Sequence, residues 1–265
     1  MTEFPVDRPI TLVISVPSGD IEVVAVDGAT TAVDVAPHDD RDASRQLAAD
    51  TTVDLDGDTL RVTAPRNKGG ILRRSGSLRI RVTVPVGSGA WIDTASADVT
   101  LRGPLATTDI TGASADLDIA EVTGDARVKT ASGDVVFGRV GGELDIECAS
   151  GDIAITRPGS ATRIATASGD VVLRETSGDL QIKSASGDIH IDAAGHGNVG
   201  ITTASGDVQI GVPAGTGVWL DLQSLSGSTR NGLRMSDGDT APPNGHQLGL
   251  QVRTLSGDID LRKVG

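Results

Sequence analysis

The chain has 265 residues, with 34 Gly, 2% aromatic residues, no Tyr, one Cys and a formal net charge of −13. Asp outnumbers Glu by 30 to 6 and Arg outnumbers Lys by 19 to 4, a composition of turns and strands that excludes a mostly helical protein. An acidic chain without aromatic-basic clusters offers no face to phosphates, so nucleic acid is excluded as a partner. One cysteine closes no internal disulfide and implies no oxidising compartment. With no basic leader and no apolar run of about 20 residues, the expectation is a cytoplasmic protein with no membrane span.

Residues 1–83 read as irregular strands and loops. Alternating strands over residues 10–35 surround Ser18-Gly19-Asp20, and Asp42 to Asp50 predicts one short helix. The run LDGDTLRV from Leu55 predicts a hairpin turn. Residues 66–77 are Gly-rich and basic; Arg66, Lys68, Arg73 and Arg74 beside Ile71 and Leu72 are the one place that offers contact to anionic lipid.

Residues 84–211 carry a repeat. Ser-Gly-Asp or Ser-Ala-Asp begins at Ser96, Ser114, Ser132, Ser150, Ser168, Ser186 and Ser205, at spacings of 18 and finally 19 residues. Three residues after each Ser stands Val99, Leu117, Val135, Ile153, Val171, Ile189 or Val208, and two further on another apolar side chain. A second alternating segment follows about nine residues later, so each repeat holds two short strands. Strands that pair with their counterparts one repeat on form parallel sheets. The predicted fold is therefore all-β: a right-handed parallel β-helix, or β-solenoid, with coils of about 18 residues, forming a single domain over residues 1–265. The Ala before each Ser (Ala95, Ala113, Ala131, Ala149, Ala167, Ala185, Ala204) is read as filling a tight corner.

Residues 212–265 are predicted as C-terminal coils with an irregular excursion over 227–248 that contains Pro242 and Pro243; LQVRTLSGDIDLRKV closes the chain as a last coil. VPVGSGAWID from Val84 and VPAGTGVWLD from Val212 flank the regular block and place Trp91 and Trp219 at matching positions, read as end-coil packing.

The reiterated TASGDV segments, the two VPxGxGxW transitions and the closing VRTLSGDIDL resemble a bacterial "putative adhesin" family of unknown function with β-strand repeats, also called the toastrack domain. The resemblance covers about Pro9 to Val264. It implies a right-handed parallel β-helix, no established enzymatic activity, and company with membrane-stress or envelope-signalling components.

The residues offer three functional readings. The first is a non-enzymatic scaffold or protein-interaction module, binding a protein partner or itself. Its surface candidate is an outward apolar stripe of Val136, Ala154 and Val172. The second is a calcium-dependent adhesin, with cations between the carboxylates of Asp98, Asp116, Asp134, Asp152, Asp170, Asp188 and Asp207. Those turns lack the GGxGxD pattern of calcium-binding rolls, so the column is read as structural turn capping and no metal site is assigned. The third is a carbohydrate-active β-helix enzyme. No Tyr exists to stack a sugar, the outward column Asp109, Arg127, Asp145, Arg163 alternates in sign, and His38, His190, His196 and His246 lie far apart. His190 beside Asp188 and Asp192 is the nearest approach to an acid-base pair. Cys148 reads as an inward small side chain, with Thr130 and Thr166 at the same repeat position. No catalytic residue and no cofactor is assigned.

Overall fold

The computed structural model describes residues 1–65, 76–233 and 247–265, and divides into two compact units, Met1–Val136 and Phe137–Gly265. Among the described residues there are twenty-two strands and one α-helix. The protein is all-β, with strands stacked in a solenoid-like arrangement.

In the first unit the chain begins with β1 (Thr2–Pro5), β2 (Thr11–Val26), β3 (Thr30–Pro37), α1 (Asp42–Asp50), β4 (Thr52–Asp56) and β5 (Thr59–Thr63). It continues with β6 (Leu78–Pro85), β7 (Gly89–Leu105), β8 (Thr108–Thr111), β9 (Leu117–Val122) and β10 (Ala126–Ser132), and β11 (Val135–Val140) carries the boundary. Alternation on either side of the bend at Gly19 sends Leu12 and Ile14, then Ile21 and Val23, of β2 inward, where all four are buried. The expected stacking holds through β7, β8 and β10, which pair in parallel 18 residues apart. Val62, Ile14, Ile92, Ile110 and Val128 thereby line up as one inward column.

The order of rungs departs from the order of sequence. β2 pairs with β7 on one side, while its two halves pair with β5 and β6 on the other. The first long strand is thus an inner rung, and the later β5 and β6 lie outside it. Those outer strands are covered by antiparallel partners: β4 on β5, β3 on β6, and β1 on β3. The hairpin expected from Leu55 is present, with Gly57 at φ +57° in the short turn that joins antiparallel β4 and β5, and the parallel pairing expected of the repeats does not extend to β1, β3 and β4. Helix α1 spans the predicted residues. It buries Ser44 and Leu47, and the Ser44 hydroxyl both donates to Asp39 (2.7 Å) and accepts from the Ser77 N–H (3.1 Å).

The second unit continues with β12 (Glu143–Ser150), β13 (Ile153–Arg157), β14 (Ala161–Ser168), β15 (Val171–Ser177), β16 (Asp179–Ser186) and β17 (Ile189–Ser205). After these come β18 (Val208–Pro213), β19 (Val218–Ser226), β20 (Thr229–Asn231), β21 (Leu248–Ser256) and β22 (Ile259–Val264). β12, β14 and β16 pair at 18-residue steps, and β16 meets β17 at a 19-residue step. Here too sequence order fails at the end. β21 pairs with β17 on one edge and with β19 on the other, and β22 likewise lies between β18 and β20. The coil expected to close the chain is therefore the penultimate rung, and β19 with β20 forms the outermost one. The inward column Ile146, Ile164, Ile182, Ile201, Val252 is buried throughout, whereas Leu222, next in register, is only half-buried.

Candidate interaction surfaces

The turn between the two strands of each rung is built from three parallel rows. The first is glycine. Gly169, Gly187, Gly206 and Gly257 have φ between +119° and +145°, and a Cβ on any of them would stand 2.1 Å from the carbonyl oxygen of the glycine one rung away. Close approach and left-handed backbone together demand Gly here.

The second row is aspartate. In the first unit Asp98 accepts the N–H of Asp116 (3.1 Å), and Asp116 accepts that of Asp134 (2.9 Å). In the second unit Asp152, Asp170, Asp188 and Asp207 each accept the N–H of the Asp in the next rung, at 2.8–2.9 Å. Asp258 ends the row by accepting the N–H of Ser228, 2.8 Å away. That bond is the main cause that lowers the Asp258 carboxyl from its ordinary value.

The third row lies just inside the turn. The thiol of Cys148 and the hydroxyls of Thr166, Ser184 and Thr203 each donate to the carbonyl two residues on, at 3.1–3.3 Å. Cys148 is buried in this row.

The alanine row is not what the sequence suggested. Ala95, Ala113 and Ala131 in the first unit and Ala149, Ala167, Ala185 and Ala204 in the second are solvent-exposed, so no corner forbids a larger side chain. The neighbouring glycines are the sterically limited positions. In the outer rungs of the second unit the same position holds Leu255, 59% exposed, and Leu225, 82% exposed. They stand in adjacent strands, because Ser226 pairs with Ser256. The tripeptides Thr-Leu-Ser and Ser-Leu-Ser, replacing Ala-Ser in the repeat, were the legible signal for this pair.

Trp91 lies on the outer face of β7, folded over Gly89, with Val13 of β2 and Asp109 of β8 as register neighbours. Its strand is paired on both edges, so Trp91 closes no end, contrary to the end-coil reading. Trp219 does belong to the outermost rung, yet it faces outward and is 52% exposed. Of the predicted apolar stripe, Val136 of the first unit is 42% exposed. In the second unit half-buried Ala154 stands beside Val172, 38% exposed, and His190 follows in register.

His190 Nε2 lies 2.7 Å from Asp192 Oδ1 and 3.0 Å from Arg262 Nη2. Asp188 is committed instead to the N–H of Asp207, and His196 is exposed. His38 instead meets Asp20 at 3.1 Å. His246, Pro242, Pro243 and the basic residues Arg66, Lys68, Arg73 and Arg74 lie outside the described residues. Elsewhere the outer faces carry side-by-side opposite charges, Asp109 with Arg127 and Asp145 with Arg163. Arg102 and Asp118 form a bidentate pair that holds the Asp118 carboxyl below its ordinary value. An open groove of about 290 Å3 on the second unit is lined by Arg163, Asp179, Gln181 and Asn198, with Asp179 bonded to Asn198 at 3.0 Å. Among the described residues no group of three His, Cys, Asp or Glu side chains could hold a metal ion, and no helix is long and apolar enough to cross a membrane.

Stacked rungs joined by glycine, aspartate and hydroxyl rows define a solenoid-like, strand-repeat protein. The Toastrack DUF4097 family model matches residues 11–262, and the chain belongs to that family. Among solved structures it is similar to a "putative adhesin" from Bacteroides fragilis, at 14% identity over 99% of this chain and 95% of that one, with TM-score 0.48. A "putative adhesin" from Parabacteroides distasonis matches at 16% identity over 99% and 95%, with TM-score 0.47. A "putative lipid binding protein" from the same species matches at 16% identity over 100% and 96%, with TM-score 0.41. No curated protein matches the chain.

Proposed function

We propose that the chain is a non-enzymatic protein-interaction scaffold. We infer for its regular rungs a right-handed parallel β-helix with coils of about 18 residues, the hand that parallel crossovers adopt. The observation that carries the interaction reading is the pair Leu225 and Leu255. Two large apolar side chains stand in solvent side by side where the rest of their row carries alanine. Hydrophobic surface gathered in this way is the mark of a contact site. Within the second unit, exposed Val172 with Ala154 beside it is a second, smaller candidate.

The family resemblance supports a setting among envelope-stress or envelope-signalling components. The lone cysteine suits a reducing compartment such as the cytoplasm. The aspartate row supports a structural role rather than calcium-dependent adhesion, because one oxygen of each carboxylate accepts a neighbouring rung's N–H.

The test is affinity capture from cytosolic and envelope fractions of the native host, read by mass spectrometry, with wild type, Leu255→Asp and Val172→Asp compared. Loss of the same captured proteins with Leu255→Asp, at unchanged melting temperature, is expected. Equal capture by all three proteins sinks this reading. A melting temperature that is flat between millimolar calcium and chelator is expected as well.

A further inference from the structure

Resting on the interaction reading, we infer that one partner is a second copy of this chain, joined through β19 by antiparallel strand pairing across a two-fold axis. Among the described residues β19 is paired only along its β21 edge. Its inward residues Val218, Leu220 and Leu222 remain half-buried, while their register partners Leu248, Leu250 and Val252 are fully buried. This edge is nine residues long and holds a single charge, Asp221, the kind of edge that recruits another strand.

The sequence argues against growth by further parallel rungs. Every inner turn of this unit presents an Asp that accepts the next rung's N–H, but the outermost turn carries Ser228 at that position. Head-to-tail stacking also needs a second open edge, and in the first unit β5 and β6 are already covered by β4 and β3. A closed two-fold contact remains, and two identical edges can meet across such an axis only antiparallel.

Charge sets the register. Centring the pair on Asp221 puts two Asp221 carboxylates opposite each other. Centring it on Leu222 pairs Leu222 with its own copy and Asp221 with Gln223, and places Trp219 against Leu225. Cross-strand pairs of these kinds are the favourable ones.

The test is sedimentation equilibrium of the full chain from micromolar to hundreds of micromolar. A dimer is expected. Gln223→Lys, which opposes Asp221 twice across the axis, tightens it at least about fivefold, and Gln223→Asp weakens it at least about fivefold. Gln223 is exposed and its amide donates to Asp221 of its own strand (3.0 Å), so the melting temperature of each variant at low concentration is read beside its association constant. In a Cys148→Ser background, tolerated because Ser184 occupies the same row, Leu222→Cys forms an intermolecular disulfide on oxidation. A monomer throughout overturns the inference, as does a dimer indifferent to both Gln223 substitutions. Dimerisation only after deletion of residues 234–246 overturns it for the native chain and gives the edge to that segment. If the chain is monomeric but Leu255→Asp still abolishes capture, self-pairing fails and the interaction reading stands.

Discussion

The two units solve the same problem, how to stop a stack of strands, in different ways. The first unit ends with β5 and β6 under a cover of antiparallel strands, and Leu60 and Val62 behind that cover are fully buried. The outermost edge strands, β1 and β4, are four and five residues long; β1 ends in Pro5 and β4 carries Asp54 and Asp56. Short, charged or proline-ended edges discourage further pairing. The second unit ends with β19, longer, mostly apolar and half-open. Closure of the outer strands in the first unit and exposure of β19 in the second teach where stability has been completed and where surface has been left for contact.

The largest test of this contrast is truncation of equivalent inward leucines. Leu60→Ala is expected to cost about 3 kcal/mol, because a fully buried side chain leaves a cavity. Leu220→Ala, half-buried in the outermost rung, is expected to cost about 1 kcal/mol. Urea denaturation followed by circular dichroism separates the two; equal losses would mean that the β19 rung is closed in solution.

Next in size is the turn. Gly169→Ala forces a methyl against the Gly151 carbonyl at φ +119° and is expected to cost about 2–3 kcal/mol. Ala115 in the first unit occupies the same repeat position with its methyl buried and without positive φ, so Ala115→Gly is expected to cost only about 1 kcal/mol. A reversed order in thermal melts would show that the two turns share one geometry.

Smaller again is the aspartate row. Asp188→Ala removes the acceptor of the Asp207 N–H and should cost about 1 kcal/mol, while Asp188→Asn, which keeps an oxygen acceptor, should cost less. Amide hydrogen exchange at Asp207 reads the difference directly.

The smallest effect is in acid. The Arg41 side chain first, and then the Ser44 hydroxyl, hold the Asp39 carboxyl well below its ordinary range. Arg102 does the same for Asp118, and the Ser228 N–H for Asp258. Each folded-state value is depressed, so the stabilisation is present above the unfolded value of about 4 and is lost as pH falls through the folded one. Stability measured between pH 5 and 2 should decline on that limb, and Asp118→Asn should flatten it slightly. A decline with rising pH would contradict the assignment.

Much of this was legible in the sequence, for a physical reason. Apolar alternation at period two, repeated every 18 residues, leaves one arrangement that buries every inward row, so the all-β class and the register of β12, β14 and β16 follow from residue spacing. The SGD turns likewise announce their backbone, because only Gly survives at Gly169 or Gly187. Helix α1 and the Leu55 hairpin were readable because helix propensity and turn chemistry act within a few residues. The alanine row misled because a small residue has two explanations, a crowded corner or an indifferent surface, and only the exposure of Ala149 and Leu255 distinguishes them.

What the sequence by itself determined about this protein is the rung: two short strands, a glycine at the bend and an aspartate beside it, each fixed by local backbone sterics and hydrogen bonding. What only the tertiary structure decided is the order of the rungs at the ends. β2 intercalates between β7 and the later β5 and β6, and β21 intercalates between β17 and the earlier β19. Parallel strands of one repeat family present nearly identical edges, so local pattern cannot say which copy is the neighbour. The choice falls to packing within each unit, and in the second unit that choice is what leaves β19 as an edge strand.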